Sequence, residues 1–158
     1  HPDAQSADGK ALAAALADCV PVIYASHRNE AIAYNWKIKF NETGKIPAFY
    51  NVFPELNHNE MTGFDVIPST KLLAEKFHVI LLEDAADDPR IVRRMRALEK
   101  LYTDRGIPVT SVLITGDDPL EKIFSSLITA DWTALFTGSA YGAETEQVPM
   151  VESFKKLI

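Results

Sequence analysis

Cysteine, long apolar runs and the usual metal-binding spacings are scarce or missing in this 158-residue chain. Its single cysteine, Cys19, has no partner for a disulfide within the chain, which is typical of proteins from reducing compartments. No apolar run approaches the roughly 20 residues needed to cross a bilayer, and no secretory signal is visible. We therefore expect a cytoplasmic protein. Because the first residue is His1 rather than methionine, we also expect a fragment or a processed product.

Several signatures of cofactor-dependent enzymes are also absent. The chain has no HxH, HExxH or CxxC pattern, so we predict no metal site. It has neither a GxGxxG nor a GxxxxGKS run, and none of its serines sits in a nucleophile elbow. The net charge of −6 argues against a nucleic-acid or anionic-membrane surface. These absences predict no cofactor, no nucleic-acid partner and no membrane partner.

Short apolar runs alternate with longer helical patterns along the chain. The predicted strands are residues 20–25, 47–53, 78–83 and 108–114. The predicted helices are residues 9–18, 29–43, 69–76 (capped by Ser69), 88–105 and 119–137, with a last helix after Pro149. This alternation predicts parallel βαβ units, and the apolar strands predict a sheet covered on both faces. We predict one domain, residues 1–158, with an α/β fold: a three-layer α-β-α sandwich with a mainly parallel, flavodoxin-like sheet.

The helix predicted at residues 29–43 leads to the first candidate catalytic residue. Ile32, Trp36 and Phe40 recur every four residues and form one apolar stripe. Asn29 is a suitable N-cap, and Gly44 is suited to the C′ position just after the helix. Glu42 therefore falls in the last turn, at the edge of the apolar stripe.

Glu42 has two interpretations. The macrodipole at the end of a helix disfavours an ionised carboxylate, and a carboxylate made more basic in this way is suited to removing a proton next to a carbonyl. The simpler alternative, which the spacing alone favours, is a surface glutamate beside Lys39 or Lys45.

His58 is the second candidate, in a segment at residues 54–68 that we predict to be an irregular loop rich in Asn, Pro and Gly. Asn57 precedes it, and Glu55 and Glu60 are close enough in sequence to orient the imidazole or to bind loop N–H groups. The alternative is a histidine that hydrogen-bonds the loop backbone, and the pattern does not decide between the two.

Residues 31–64, AIAYNWKIKFNETGKIPAFYNVFPELNHNEMTGF, resemble a known signature. A W-K helix, an N-E pair, a K-x-P-A-F-Y-N run and then P-E-L-N-H-N-E with glycine are similar to the C-terminal domain of bifunctional phosphoglucose/phosphomannose isomerases. The run VPVIYAS and the closing GAETEQVPMVESFKKLI extend the resemblance more loosely to both ends. The family implies that residues 1–158 form its C-terminal sugar-isomerase (SIS) domain.

The resemblance implies a metal-free reaction that interconverts aldose and ketose phosphates through a cis-enediol. In that mechanism Glu42 moves the proton between C1 and C2, and His58 assists ring opening from the neighbouring subunit of a homodimer. Lys155 matches a lysine of the final helix that also serves ring opening. From the residues alone, a solvated lysine at a helix end remains the alternative for Lys155.

We also assign Asn41, Asn57 and Glu146 to substrate binding. Glu146 stands where the family has a threonine close to the sugar, and Asn35 stands where many relatives have arginine. The family's N-terminal SIS domain, which binds the phosphate, is absent from this sequence. We therefore expect a sugar phosphate and that N-terminal domain as partners, and little or no activity from the chain alone. The alternative function is a noncatalytic phosphosugar-binding or regulatory SIS module.

Overall fold

The computed structural model describes residues 2–158, and within them four parallel strands form one sheet. The strands are β1 (Val20–Ser26), β2 (Phe49–Phe53), β3 (Phe77–Asp84) and β4 (Val109–Ile114). Their spatial order is β2-β1-β3-β4, with Val22 paired to Phe49 on one side and to Val79 on the other. This is the strand order of flavodoxin-like sheets, and it confirms the predicted fold class.

Helices cover both faces of the sheet and complete three layers. The α-helices in the described part of the chain are α1 (Pro2–Ala15), α2 (Glu30–Glu42), α3 (Glu60–Gly63), α4 (Lys71–Ala74), α5 (Pro89–Thr103), α6 (Pro119–Ala140) and α7 (Pro149–Lys155). Helices α1, α2 and α6 pack on one face, and α5 packs on the other with the short α3 and α4. None of the helices in the described residues is long and apolar enough to span a membrane.

The core is divided by the sheet because successive strand residues point to opposite faces. On β1, Ile23 packs under α1, α2 and α6, whereas Tyr24 packs under α5. On β3, Ile80 and Leu81 repeat the pattern, and all four side chains are fully buried. The strands are apolar on both sides for this reason, as expected for a parallel sheet covered on both faces.

Helix α2 is fixed by the predicted apolar stripe. Ile32, Trp36 and Phe40 are all buried, and the indole Nε1–H of Trp36 donates to Ser126 Oγ on α6 at 3.0 Å. The two helices converge further along, because a Cβ on Gly138 of α6 would lie 2.7 Å from the carbonyl oxygen just after α2. The end of α2 is therefore held by close packing as well as by the indole.

The first helix begins earlier than predicted. Helix α1 runs from Pro2 to Ala15, whereas the sequence predicted residues 9–18. Gly9, the first residue of the predicted range, lies inside α1 against α6: a Cβ there would stand 2.6 Å from Cβ of Trp132. The glycine permits a close helix–helix approach rather than ending a helix.

The turn after α2 also differs from the prediction. The residue in the left-handed region is Lys45, with φ of 57°, and not Gly44. Gly44 is required for a different reason, since a Cβ on it would lie 2.7 Å from the carbonyl oxygen of Phe40. The N–H of Ile46 donates to that same carbonyl at 3.2 Å and closes the turn.

Three smaller predictions need correction. Asn29 makes no side-chain cap for α2, and its amide points into a buried cluster instead. Helix α4 is shorter than the predicted 69–76, and neither Ser69 nor Thr70 caps it with a side-chain hydrogen bond. Residues 54–68 are more ordered than an irregular loop, because they contain a 3₁₀ turn at Glu55–Asn57 followed by α3.

Candidate active site

Glu42 lies at the amino edge of the sheet. Helix α2 starts just beyond the carboxyl end of β1 and returns to the point where β2 begins, so its last residue is at the opposite edge from its first. The Glu42 side chain is exposed. Neither lysine that the alternative interpretation proposed pairs with its carboxylate in the described residues: Lys39 binds Asp131 at 2.7 Å, and Lys45 binds a backbone carbonyl.

His58 lies at the other edge. It follows β2 and ends the 3₁₀ turn, where its backbone N–H donates to the carbonyl of Glu55 at 2.9 Å. Its side chain is exposed. Strand β2 has five residues, which corresponds to about 16 Å of extended chain. Within one chain, Glu42 and His58 are therefore separated by the length of a strand and do not share a small-molecule pocket.

The C-terminal segment, which we define as residues 144–158, returns to the same edge as Glu42. The ammonium of Lys45 donates both to the Glu42 carbonyl at 2.6 Å and to the Gln147 carbonyl. The structure thus places Glu146 and the start of α7 beside the end of α2. Asn41 belongs to this edge too, but its amide donates to the Ile46 carbonyl at 3.0 Å and is engaged in the turn.

Lys155 sits at the end of α7, whose apolar stripe is uncovered in this chain. The stripe consists of Met150, Val151, Phe154, Leu157 and Ile158, and each of these side chains is at least 46% exposed. Lys155 lies off the stripe and pairs with Glu152 at 2.7 Å. This surface-exposed pair is weak and leaves the lysine able to turn to another partner.

The segment that bears His58 is anchored by a partly buried carboxylate that the sequence did not single out for this role. Glu60 accepts a hydrogen bond from the Tyr24 hydroxyl at 2.6 Å and another from the Asn51 amide. Burial and then the neighbouring Tyr102 and Glu60 raise the pKa of Tyr24, so Tyr24 donates its proton to this bond. Glu60 therefore ties the start of α3 to β1 and β2.

Neither nearby glutamate orients the His58 ring through a hydrogen bond. Glu60 is engaged with the sheet, and Glu55 accepts from the Asn59 amide at 3.0 Å. Asn57, which is predicted to bind substrate, accepts a long hydrogen bond from Arg94 of α5 at 3.4 Å. The loop conformation is set by these contacts, and the imidazole is left facing outward.

The crevice where ligands usually bind in this fold is filled by protein side chains. In open α/β sheets that crevice lies beyond the carboxyl ends of the strands where the strand order reverses, here between β1 and β3. Ser26, Asn29, Asp84 and Asp87 meet there, and each is at most 7% exposed. The Ser26 hydroxyl donates to Asp87 at 2.6 Å, and the Asn29 amide donates to the Ser26 oxygen at 3.2 Å.

The two aspartates of this buried cluster have opposite pKa shifts. Burial tends to raise the pKa of Asp84, but hydrogen bonds from Lys122 at 2.5 Å, from the Ala86 N–H and from Asn29 outweigh burial and lower it. Burial raises the pKa of Asp87, and the charge of Asp84 adds to this despite the bond from Ser26. The cluster is an ionised Asp84–Lys122 pair beside a carboxyl that resists ionisation.

These shifts predict how stability depends on pH. A carboxyl with a lowered folded pKa stabilises the fold above its unfolded pKa near 4, and this contribution is lost as the pH falls through the folded value. Asp84→Asn should therefore lower the free energy of unfolding by about 2 kcal/mol at neutral pH, with the deficit shrinking below about pH 4. Asp87→Asn should have the opposite pH dependence: its free energy of unfolding, relative to that of the parent, should be highest at neutral pH. Urea unfolding from pH 3 to 8 measures both; an Asp84→Asn deficit that does not vary with pH contradicts the assignment.

Two open grooves elsewhere contain none of the predicted site residues. One, of about 480 Å³, lies between α1, β4 and α6, and the other, of about 530 Å³, lies between α1 and the end of α6. In the described residues, no three His, Cys, Asp or Glu side chains are arranged to hold a metal ion. The residues able to act on a ligand are thus Glu42 with the C-terminal segment at one edge, and His58 at the other.

Comparison with known proteins identifies the family. Residues 5–158 match the family model described as the bacterial phospho-glucose isomerase C-terminal SIS domain. The chain belongs to this family. It is 30% identical over 148 residues to the bifunctional phosphoglucose/phosphomannose isomerase of Aquifex aeolicus, covering 94% of this chain and 45% of that protein. It is 34% identical to the enzyme of the same name from Thermoplasma volcanium, covering 88% of this chain and 43% of that protein.

Solved structures show the same fold. A glucose-6-phosphate isomerase like protein from Thermus thermophilus matches with a TM-score of 0.65 at 16% identity, covering 90% of this chain and 46% of that one. The tagatose-6-phosphate ketose/aldose isomerase of Escherichia coli matches with a TM-score of 0.61 at 16% identity, covering 91% and 46%. This SIS-family chain therefore spans less than half the length of the curated relatives it matches.

Proposed function

We propose that this chain is the C-terminal half of a cytoplasmic phosphoglucose/phosphomannose isomerase. Its substrates would be glucose-6-phosphate and, by the same chemistry, mannose-6-phosphate, each converted to fructose-6-phosphate. The observation that supports this most is the placement of Glu42, an exposed carboxylate at the end of a firmly packed helix, directly beside the segment that bears Lys155.

The chemistry requires one base that works at two carbons. Glu42 would take the proton from C2 of the open-chain aldose, giving a cis-enediol, and would return it to C1 while a hydroxyl proton moves from O2 to O1. Because the same carboxylate removes and returns the proton, no net charge accumulates on it. The hydrogen bond from Trp36 to Ser126 of α6 fixes the orientation of helix α2, and this orientation sets the direction from which the Glu42 carboxylate would reach the sugar.

Ring opening needs groups that give a proton to the ring oxygen as the C1–O5 bond breaks and take the proton from the O1 hydroxyl as the C1 carbonyl forms. His58 and Lys155 are the candidates. Since His58 is a strand length away from Glu42 in one chain, we assign the catalytic imidazole to a second copy in a homodimer. Asn41, Asn57 and Glu146 would line the sugar, and the phosphate would be held by the N-terminal half that the relatives possess.

Mixing two inactive variants of the full gene product tests this arrangement. One subunit carries Glu42→Gln and the other His58→Gln, and the two are dissociated and reassociated together. Random pairing makes half of the dimers mixed, and each mixed dimer has one intact site, so about a quarter of the parental turnover should return. Formation of fructose-6-phosphate from glucose-6-phosphate is the readout.

The controls for the mixing experiment are each variant reassociated with itself, and the isolated 158-residue chain, which we expect to be inactive or nearly so. A mixture no more active than its two components contradicts a site shared between copies. Brisk turnover by the isolated chain contradicts the need for the N-terminal half.

One observation favours the second candidate function, a noncatalytic phosphosugar-binding module. Glu146 places a second exposed carboxylate beside Glu42, and Glu144 adds a third whose pKa is lowered by the backbone N–H groups of Glu146 and Gln147. Clustered negative charge opposes the negative charge that develops on the sugar as its proton is removed, whereas the phosphate would be held elsewhere, by the N-terminal half, so binding is hindered less than turnover. A module of this type would bind sugar phosphates without turnover in either the parental or the Glu42→Gln form.

A further inference from the structure

The C-terminal segment is joined to the rest of the chain by very few polar contacts. Of the hydrogen bonds and ion pairs between residues 2 and 158, only the bond from Lys45 Nζ to the Gln147 carbonyl links residues 144–158 to the body of the protein. The other bonds of the segment are internal, such as those from the Glu146 and Gln147 N–H groups to the Glu144 carboxylate at 2.8 and 2.6 Å.

Packing does not compensate for this. No side chain of α7 is buried, and a helix of seven residues is marginal in water by itself. The nearest tight packing is before α7, where the Thr145 methyl lies against Gly138 of α6. The orientation of α7, and with it the position of Lys155, therefore depends on what holds residues 145–147.

Lys45 contacts Gln147 of this stretch from an unfavourable backbone conformation, with φ of 57°. A non-glycine residue in the left-handed region is uncommon and is disfavoured by about 1 kcal/mol, and such strain persists where other interactions require it. The same ammonium also donates to the Glu42 carbonyl, at the negative end of α2, where a cation is favourable. One side chain thus bridges the helix that ends in Glu42 and the segment that contains Lys155.

We infer that Lys45 is a positioning residue: its ammonium holds the C-terminal segment beside Glu42, and so sets the distance between the proposed base and the proposed ring-opening lysine. The catalytic part of this inference rests on the proposed function, whereas the structural part does not. A residue retained only to make the turn would need the left-handed backbone but not the ammonium.

Replacement by glycine separates these two roles. Lys45→Gly relieves the left-handed strain and removes the ammonium, whereas Lys45→Arg keeps a cationic donor. Asp18→Gly is the matched control, because Asp18 is also left-handed, with φ of 61°, and its backbone N–H contact with the Tyr141 hydroxyl does not need the side chain. Backbone ¹⁵N order parameters of residues 144–155 in the 158-residue chain are the first readout.

In the parent and in Asp18→Gly, we expect order parameters in the rigid range of about 0.85 for residues 145–147. In Lys45→Gly these should fall to about 0.6 or below, and Lys45→Arg should restore most of the loss. The melting temperature should not fall in Lys45→Gly, since the backbone is relieved of strain. Unchanged order parameters in Lys45→Gly overturn the inference, whether or not the protein is an isomerase.

The second readout is kinetic and uses the full gene product. Losing a charge-assisted hydrogen bond that orients a catalytic segment should lower kcat by about tenfold with little change in KM, and Lys45→Arg should recover it. An active enzyme whose kcat is unchanged by Lys45→Gly overturns the positioning role. If no form of the protein turns over sugar phosphate, the proposed function fails, and the order parameters still decide whether Lys45 is the tether.

Discussion

Glu42→Gln in the full gene product should lower kcat for glucose-6-phosphate isomerisation by about 10³-fold or more while sugar-phosphate binding is retained. Removing a general base from proton-transfer chemistry typically lowers the rate by roughly 10²–10⁴-fold. Glutamine keeps the size and polarity of the side chain, so the loss would report the missing proton acceptor. Steady-state kinetics and calorimetric titration with fructose-6-phosphate measure the two quantities.

Glu30→Gln is the matched control for this substitution. Glu30 begins the helix that Glu42 ends, is partly exposed, and contacts the exposed His27 at 3.1 Å. It should leave kcat within about twofold of the parent, because an exposed pair of this kind contributes little. If Glu42→Gln converts the substrate at the parental rate, Glu42 is not the base. If every form, including the parent, binds sugar phosphate without turnover, the noncatalytic module is favoured.

Trp36→Ala should lower the free energy of unfolding by about 3–5 kcal/mol, as deletions of large buried aromatic rings do. Trp36 is fully buried, and its ring centroid lies 6.5 Å from that of Phe40. The substitution would also leave the buried Ser126 hydroxyl without the indole donor. Urea unfolding followed by circular dichroism gives the value.

Two further variants separate the contributions to the Trp36 effect. Tyr34→Ala, on the exposed side of the same helix at 46% exposure, should cost no more than about 1 kcal/mol. Trp36→Phe keeps most of the ring and removes the N–H donor, so it should cost less than alanine. If Trp36→Ala costs no more than Tyr34→Ala, then α2 is not held to α6 in the way that the packing indicates.

Much of the fold follows from local pattern. The four strands are short apolar runs with little polar alternation, and each observed strand overlaps its predicted range. The stripe of Ile32, Trp36 and Phe40 predicted both the helix and the face that it buries, which placed Glu42 in the last turn correctly. These features are local because hydrophobic periodicity within one segment determines them.

The errors arose where a partner distant in sequence decides the outcome. Gly9 is explained by Trp132, and the Asn29 amide by Ser26, Asp84 and Asp87, contacts that no local rule contains. Glu60 had been assigned to loop N–H groups or to His58, but its partners Tyr24 and Asn51 are on two different strands. The role of Lys45 depends on Gln147, about a hundred positions away.

The candidate site was predictable in its residue types but not in its geometry. The sequence and the resemblance together named Glu42, His58 and Lys155, and these roles remain predictions. That Glu42 and His58 lie at opposite edges of the sheet follows from the parallel pairing of β1 with β2, which the spacing of the two residues could not show.

The attachment of α2 at Trp36 makes the length of this helix as important as its composition. Glu42 follows Trp36 by six positions, so inserting or deleting a single residue between them would rotate the carboxylate by about 100° around the helix axis and shift it by about 1.5 Å. Substitutions on the outer side of α2 leave that angle unchanged. We therefore expect evolution to tolerate substitutions on the outer side of this helix and to eliminate insertions and deletions between Trp36 and Glu42.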